Sequence, residues 1–566
     1  MVSANLARGT AGTSPAVLAM AYLDWLMHLG LSPGKQALLN EKAVRKMVRL
    51  ALYAFKASQS PETPLCIEPL PQDRRFDSES WRQWPYNLIS QSFLLTQQWW
   101  YNATTRIRGV NKQNEAIVSF VTRQILDMFS PSNSPLTNPE ILKATMEEGG
   151  QNLVRGWTNF MDDMEKTVAG KQLDAGTGQF VVGRDVAVTP GKVIFRNHLI
   201  ELIQYQPVTA QTYAEPVLVA PAWIMKYYIL DLSPHNSMVK FLVEKGHTVF
   251  MISWKNPTAA DRDLGMDDYR QHGAMAALAA ISTILPGRKI HTVGYCLGGT
   301  LLTLTAAAMA RDGDDRLKSI TLFAAQTDFT EAGELLLFIN ESQVSFLEDM
   351  MWDQGYLDAD QMVGAFQMLR SNDLIWSRLV HDYLLGHRQR INDLMAWNAD
   401  QTRMPFRMHS EYLRHIFLGN ELATGHYKVD DRTISITDIR APVFTVATEQ
   451  DHVAPWRSVY KINLLADADE VTFLLTSGGH NAGIVSEPGH RRRSFQMACR
   501  NDQDRYIDPD TWQATVPKQE GSWWPAWEAW LVKHSAAHQV SPPPMGMPEK
   551  GLYPICEAPG TYVLQK

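Results

Sequence analysis

Gly294-Tyr295-Cys296-Leu297-Gly298-Gly299 sets a thiol between glycines in a context that suits a nucleophile. The run 289–293 before it reads as a short strand, and 301–308 after it as an apolar helix. Strand, Gly-x-Cys-x-Gly and helix make a sharp elbow that presents the central side chain at the helix N-terminus. Gly294 and Gly298 lack Cβ atoms, so strand and helix can approach closely around a strained turn. Backbone N–H groups and the positive dipole end there favour thiolate over thiol. The expectation is a cysteine nucleophile lifted into solvent, in preference to a packed core cysteine.

This elbow is that of α/β-hydrolases with cysteine in place of serine, and on that fold an acid and then a histidine follow in chain order. Residues 442–448 read as a buried parallel strand that ends in the polar turn Glu449-Gln450-Asp451-His452. That is the strand edge where open α/β sheets place their ligands. Residues 471–475 read as the next strand and empty into Ser477-Gly478-Gly479-His480-Asn481-Ala482-Gly483. Asp451 alone is as well explained by capping a turn, Glu449 is a rival acid, and His452 competes with His480. Three residues in order, each after a strand, select Cys296, Asp451 and His480 as the catalytic set. In that set His480 removes the thiol proton, which matters because an unperturbed thiol has a pKa near ~8.5. Asp451 then fixes the histidine tautomer and stabilises its cation. The Leu297 N–H donates to the oxyanion. A second donor comes from the loop after the strand 217–220, with the Trp223 N–H as the choice.

Cysteine suits an enzyme that loads an acyl group from a thiol carrier and passes it to an alcohol. Thioester exchange is near equilibrium, and the oxoester formed next is more stable. The residues therefore favour acyl transfer from a coenzyme A thioester, which is a substrate and not a cofactor. The alternative is a thioesterase or polyester depolymerase using the same residues with water as acceptor. A noncatalytic scaffold is the remaining class.

The elements that must position these residues divide the chain in two. Residues 1–177 read as mostly helical, with helices at 41–57, 116–129 and 139–166. A glycine-rich join at 170–178 marks the boundary. Trp81, Trp84, Trp99, Trp100 and Tyr101 read as core in preference to a surface for a hydrophobic polymer or partner. Residues 178–566 alternate strand and helix, except for a helical, Met- and Trp-rich insertion at about 331–439. This predicts an α/β-hydrolase fold with a helical cap insertion, preceded by a mostly helical N-terminal domain. A cap would exclude water that competes for the acyl-enzyme. Met350, Met351, Trp352, Trp376 and Trp397 are candidates to line a channel, though core packing is the commoner role for each.

The 566 residues are 45% hydrophobic and 20% charged, an ordinary globular balance. A net charge of −7 argues against nonspecific nucleic-acid binding. Four widely separated cysteines, with no metal spacing, fit a reducing cytoplasmic setting and no metal. Residues 16–31 are apolar, but Asp24 and His28 give them a polar edge, so they read as an amphipathic helix and not a transmembrane one. Arg491-Arg492-Arg493 reads as a solvated face, with attraction for coenzyme A phosphates as the alternative.

Around this elbow the chain resembles the polyhydroxyalkanoate synthases along nearly its whole length. The residues that carry the likeness include Ala21-Tyr22-Leu23-Asp24-Trp25, Asp73-Arg74-Arg75-Phe76 and Asn152-Leu153-Val154-Arg155-Gly156. The most specific are Trp223-Ile224-Met225-Lys226-Tyr227-Tyr228 and Phe250-Met251-Ile252-Ser253-Trp254-Lys255-Asn256-Pro257. The resemblance implies that (R)-3-hydroxyacyl-CoA units are joined into a polyester with release of coenzyme A, and its nucleophile, base and acid match Cys296, His480 and Asp451. It also implies the single-subunit, short-chain type acting on 3-hydroxybutyryl-CoA, a homodimer, and a cytoplasmic place at the granule surface beside granule-associated proteins. Ala222 and Met225 stand where the family more often has proline and asparagine. Asn481 stands where isoleucine is commoner.

Overall fold

The computed structural model describes residues 14–60, 62–168, 179–359, 361, 371–388 and 390–566. Among these the chain forms two compact units, one of 179–361 with 391–566 and the other of 14–168 with 371–390. The expected join at 170–178 lies outside the described residues.

The first unit is built on one sheet. In chain order its strands are β1 Gly191–Arg196, β2 Ile200–Tyr205, β3 Val217–Ala220, β4 Val249–Trp254, β5 Ile290–Tyr295 and β6 Leu317–Phe323, then β7 Val443–Thr448, β8 Glu470–Thr476, β9 Ser494–Asn501, β10 Lys518–Glu520 and β11 Cys556–Glu557. They lie in the order β10-β9-β8-β7-β6-β5-β3-β4-β2-β1-β11. The run from β8 to β4 is parallel, and the strands beyond it on both sides are antiparallel. Strands covered on both faces are apolar at every position instead of alternating. β4, β5 and β7 accordingly have every residue buried. The chain order reverses between β3 and β5, which opens a crevice at their carboxyl ends.

Cys296 stands in that crevice. It has φ 52° and ψ −122° and caps the helix Leu297–Asp312. Each neighbouring glycine serves a separate close approach. A Cβ on Gly294 would lie 2.4 Å from Gly299 Cα, one on Gly298 2.1 Å from the Ala220 carbonyl oxygen, and one on Gly299 2.4 Å from Ala325 Cβ. The glycines thus press the elbow onto the ends of both flanking strands, β3 and β6.

The second unit is helical, as expected, with different boundaries. The helix foreseen at 41–57 begins at Pro33, a residue preorganised for the first helical turn. The single helix foreseen at 139–166 is two, Pro139–Glu147 and Gln151–Val168, because Gly149 and Gly150 take φ of 58° and 85° between them. Residues 371–388, which the sequence places inside the insertion, pack on Gln151–Val168. Asp163 accepts hydrogen bonds from Arg378 at 3.0 Å and the Tyr383 hydroxyl at 2.9 Å. Gly156 meets the Tyr383 backbone where no Cβ would fit.

Within the helix Pro15–Gly30 the polar edge is bonded to the start of the helix Lys112–Met128. Asp24 accepts from the Asn111 N–H at 3.0 Å and the Asn114 amide at 2.7 Å. Met20, Leu23, Leu26 and Met27 face outward, each more than half exposed. Among the described residues no helix is long and apolar enough to cross a membrane. The expected aromatic core divides too: Trp81 is buried, whereas Trp84 and Tyr101 are exposed.

The loop after β3 is held on every side. Trp397 Nε1 donates to the Lys226 carbonyl at 2.8 Å, and Thr402 donates to the carbonyls of Trp223 and Ile224. Lys226 itself is buried and donates to the Gln565 carbonyl at 2.6 Å. The Gln565 side chain accepts from the Asn256 N–H at 2.9 Å.

Two outcomes follow. Gly298→Ala drives a Cβ into the Ala220 carbonyl, so its urea midpoint should fall by the equivalent of about 1–3 kcal/mol. Burial pulls the Lys226 ammonium down to about 8, against the opposing pull of Asp400 and with Lys566 and Arg403 pushing the same way. The unfolded chain keeps that proton to about 10.4 and so binds more protons above about pH 8. Stability should therefore rise with pH between those values, by at most about 1.4 kcal/mol per unit. Urea titrations of wild type and Lys226→Met across this window should differ by the loss of that rise in the variant.

Candidate active site

Cys296 is partly buried, so the expectation of a sulfur lifted into solvent is corrected. Like Met225 and Leu394, it packs against the main core. Tyr412, from the insertion, lies close enough to be influenced by it: burial first, and then the Cys296 charge, hold the Tyr412 phenol well above its ordinary pKa. An insertion folded over the elbow accounts for the difference.

His480 follows β8 on the loop 477–483, and Asp451 follows β7. The two loops are tied together by Gln450 N–H to the Gly478 carbonyl at 2.9 Å, and by Gly483, whose absent Cβ leaves room for Thr448. Across this junction His480 Nδ1 lies 2.8 Å from Asp451 Oδ2. Asp451 is buried, and each of its oxygens is used twice. Oδ2 also accepts from the Thr448 hydroxyl at 2.9 Å. Oδ1 accepts from the N–H groups of Val453 at 2.9 Å and Ala454 at 2.8 Å. The turn-capping role and the histidine-orienting geometry belong to one carboxylate. Glu449 points instead toward Lys518 at 3.8 Å, and His452 is exposed.

Burial by itself lowers the His480 pKa. The charge of Asp451, that of Cys296, and hydrogen bonds to both outweigh it and hold the imidazole well above its ordinary value. An imidazole with its Nδ1 on a carboxylate, and near enough to a thiol for the thiol to raise its pKa, is able to take up the thiol proton.

The Leu297 N–H is at the first helical position, where no intrahelical acceptor exists. Trp223 is buried, its ring 5.9 Å from Trp254 and 5.0 Å from Tyr269, and its indole N–H has no partner among the described residues. Its loop reaches the elbow through the Ala220 and Pro221 carbonyls that abut Gly298. Met350, Met351 and Trp397 are fully buried core residues and do not line a channel, while Trp352 is 65% exposed. Arg493 donates to the Ala482 carbonyl at 2.5 Å and so braces the histidine loop, whereas Arg491 and Arg492 are exposed. Among the described residues no group of His, Cys, Asp and Glu could hold a metal ion.

Residues to which the sequence assigned no role in the site meet beside it. The Tyr295 hydroxyl donates to Asn481 Oδ1 at 2.6 Å, and Asn481 Nδ2 donates to Asn398 Oδ1 at 3.2 Å. The signals in the sequence were the polar type of residue 295 beside Cys296 and, beside His480, an asparagine at 481 where isoleucine is commoner.

Comparison with known proteins agrees with this architecture. Residues 72–242 match the family described as poly-beta-hydroxybutyrate polymerase (PhaC) N-terminus, and residues 1–35 match poly-beta-hydroxybutyrate polymerase N terminal. Residues 215–486 match the alpha/beta hydrolase fold. The chain is 40% identical over 538 residues to the poly(3-hydroxyalkanoate) polymerase of Methylorubrum extorquens, covering 93% of this chain and 87% of that one. It is 33% identical over 568 residues to the poly(3-hydroxyalkanoate) polymerase subunit PhaC of Cupriavidus necator, covering 99% and 93%. The fold is that of the α/β-hydrolases, and the chain belongs to the poly(3-hydroxyalkanoate) polymerase family, enzymes of acyltransferase type.

Proposed function

We propose that this enzyme polymerises (R)-3-hydroxyacyl-CoA, with 3-hydroxybutyryl-CoA as the preferred unit, through a thioester on Cys296. The observation that carries the reading is the His480 Nδ1 to Asp451 Oδ2 contact of 2.8 Å, with Cys296 at the elbow near enough to raise the pKa of the same imidazole. His480 takes the thiol proton, and the sulfur attacks the thioester carbonyl carbon. The Leu297 N–H, with the Trp223 N–H as second donor, stabilises the oxyanion. The carbon–sulfur bond to coenzyme A breaks, and the departing thiolate takes the proton from His480. The hydroxyl of a chain or monomer then gives its proton to His480 and attacks the acyl-cysteine, which forms the ester and frees Cys296.

Polyester formation requires that a hydroxyl outcompete water for the acyl-enzyme. The placement of Tyr412 near a partly buried Cys296 supports this over hydrolysis. The outward apolar residues Met20, Leu23, Leu26 and Met27 support contact with a granule surface, in a cytoplasmic setting. The homodimer and granule-associated partners rest on the family resemblance alone.

Purified enzyme given 3-hydroxybutyryl-CoA should release thiol together with insoluble polymer, and longer acyl chains should react more slowly. Thiol release with only free hydroxy acid would make it a thioesterase instead. Cys296→Ala should abolish thiol release. Asp451→Asn keeps an acceptor for the turn but turns an N–H donor or the wrong tautomer toward His480, so kcat should fall about 10³–10⁴-fold. Wild-type turnover in either variant would remove the proposed roles.

A further inference from the structure

Asn481 follows the proposed base directly, and its carboxamide is held at both ends. Oδ1 accepts from the Tyr295 hydroxyl at 2.6 Å, and Nδ2 donates to Asn398 Oδ1 at 3.2 Å. Tyr295 is the residue before Cys296. It is almost wholly buried, with its ring tilted against the His480 imidazole at 5.6 Å between centroids. Asn398 sits on the short helix Asp393–Ala399, whose Trp397 also holds the loop after β3. A single polar thread thus runs from the nucleophile elbow, through the histidine loop, to a helix of the insertion that also braces the second oxyanion-donor loop.

We propose that Asn481 is a positioning residue, whose carboxamide locks the His480 loop to the elbow through Tyr295 and to the insertion through Asn398. The inference rests on the polymerase reading for its kinetic test. A residue adjacent to the base, with both ends of its side chain fixed, restricts the backbone torsions that aim the imidazole at Cys296. Burial, then the charges of Cys296 and Asp451, hold the Tyr295 phenol well above its ordinary pKa, so its hydroxyl remains a donor throughout the working range. If Asn481 loses its carboxamide, that buried hydroxyl is left without an acceptor. If Tyr295 loses its hydroxyl, the buried side of the carboxamide is left without a donor. Removing both leaves two apolar side chains that can pack together, which costs less than either orphan plus the other.

The test is a double-mutant cycle on the full-length enzyme, with Tyr295→Phe, Asn481→Leu and the pair. Thiol release from 3-hydroxybutyryl-CoA yields kcat and KM, and thermal unfolding yields Tm. Each single variant should lose about tenfold in kcat with KM within about twofold, and the pair should lose about tenfold also, not a hundredfold. Asn398→Ala keeps the cycle readable if Asn481→Leu does not fold, and should lower kcat by about threefold. Alkylation of Cys296 by iodoacetamide, followed on its own peptide, reads the same base without any substrate and should slow in both single variants. Losses that multiply in the pair, or a fall in Tm with kcat and alkylation unchanged, overturn the proposal. A wild type that releases no thiol but shows the alkylation cycle removes the polymerase reading and leaves this one standing.

Discussion

The structure depends on how closely the helix after Cys296 approaches the strands on either side of β5. Gly298 lies against the Ala220 and Pro221 carbonyls, Gly299 against Ala325, and Gly294 against Gly299. No side chain larger than hydrogen fits at these three points. Their contacts hold Cys296 at a positive φ that L residues rarely adopt. The Cys296 N–H donates to the Phe323 carbonyl at 2.9 Å, and its carbonyl accepts from Gly299 and Thr300. The strained residue is thus pinned through both peptide groups that flank it, and the loop after β3 is brought to the same place by the Gly298 contacts.

From this point the site is assembled by loops, each fixed by more bonds than its geometry alone requires. Asp451 closes its own turn with one oxygen and addresses His480 with the other. Four hydrogen bonds keep a buried carboxylate in one rotamer, so the imidazole it faces has one orientation. The loop after β3 is held by Thr402, Trp397 and Gln565, from parts of the chain far apart in sequence. Such bracing is what a site needs if its donors are to be in place before charge develops in the transition state.

The insertion does two different things. Residues 391–439 fold with the sheet unit, with Tyr412 near enough to feel the Cys296 charge and Asn398 bonded to the histidine loop. Residues 371–388 pack instead with the N-terminal helices, through Arg378, Tyr383 and Gly156. Of the residues weighed as channel lining or core, Met350, Met351 and Trp397 take the commoner role and bury, as large apolar side chains gain by doing, whereas Trp352 is exposed.

Local sequence determined the strands, the elbow glycines and the order cysteine, aspartate, histidine along the chain. Each of these is written in neighbouring residues: continuous apolar runs for strands buried on both faces, and glycine where backbones touch. Even the two readings of Asp451, turn cap and histidine partner, were both legible, since both follow from one carboxylate after a strand. The break at Gly149-Gly150 was written there as well but masked by apolar spacing that continues across it. Only the tertiary structure decided that Cys296 is partly buried, that Asp24 bonds to Asn111 and Asn114 while its apolar neighbours face out, and that Tyr295, Asn481 and Asn398 meet. Those are contacts between residues distant in the chain. A side chain's type states what bonds it can make, but only the packed fold states which partner comes within 3 Å.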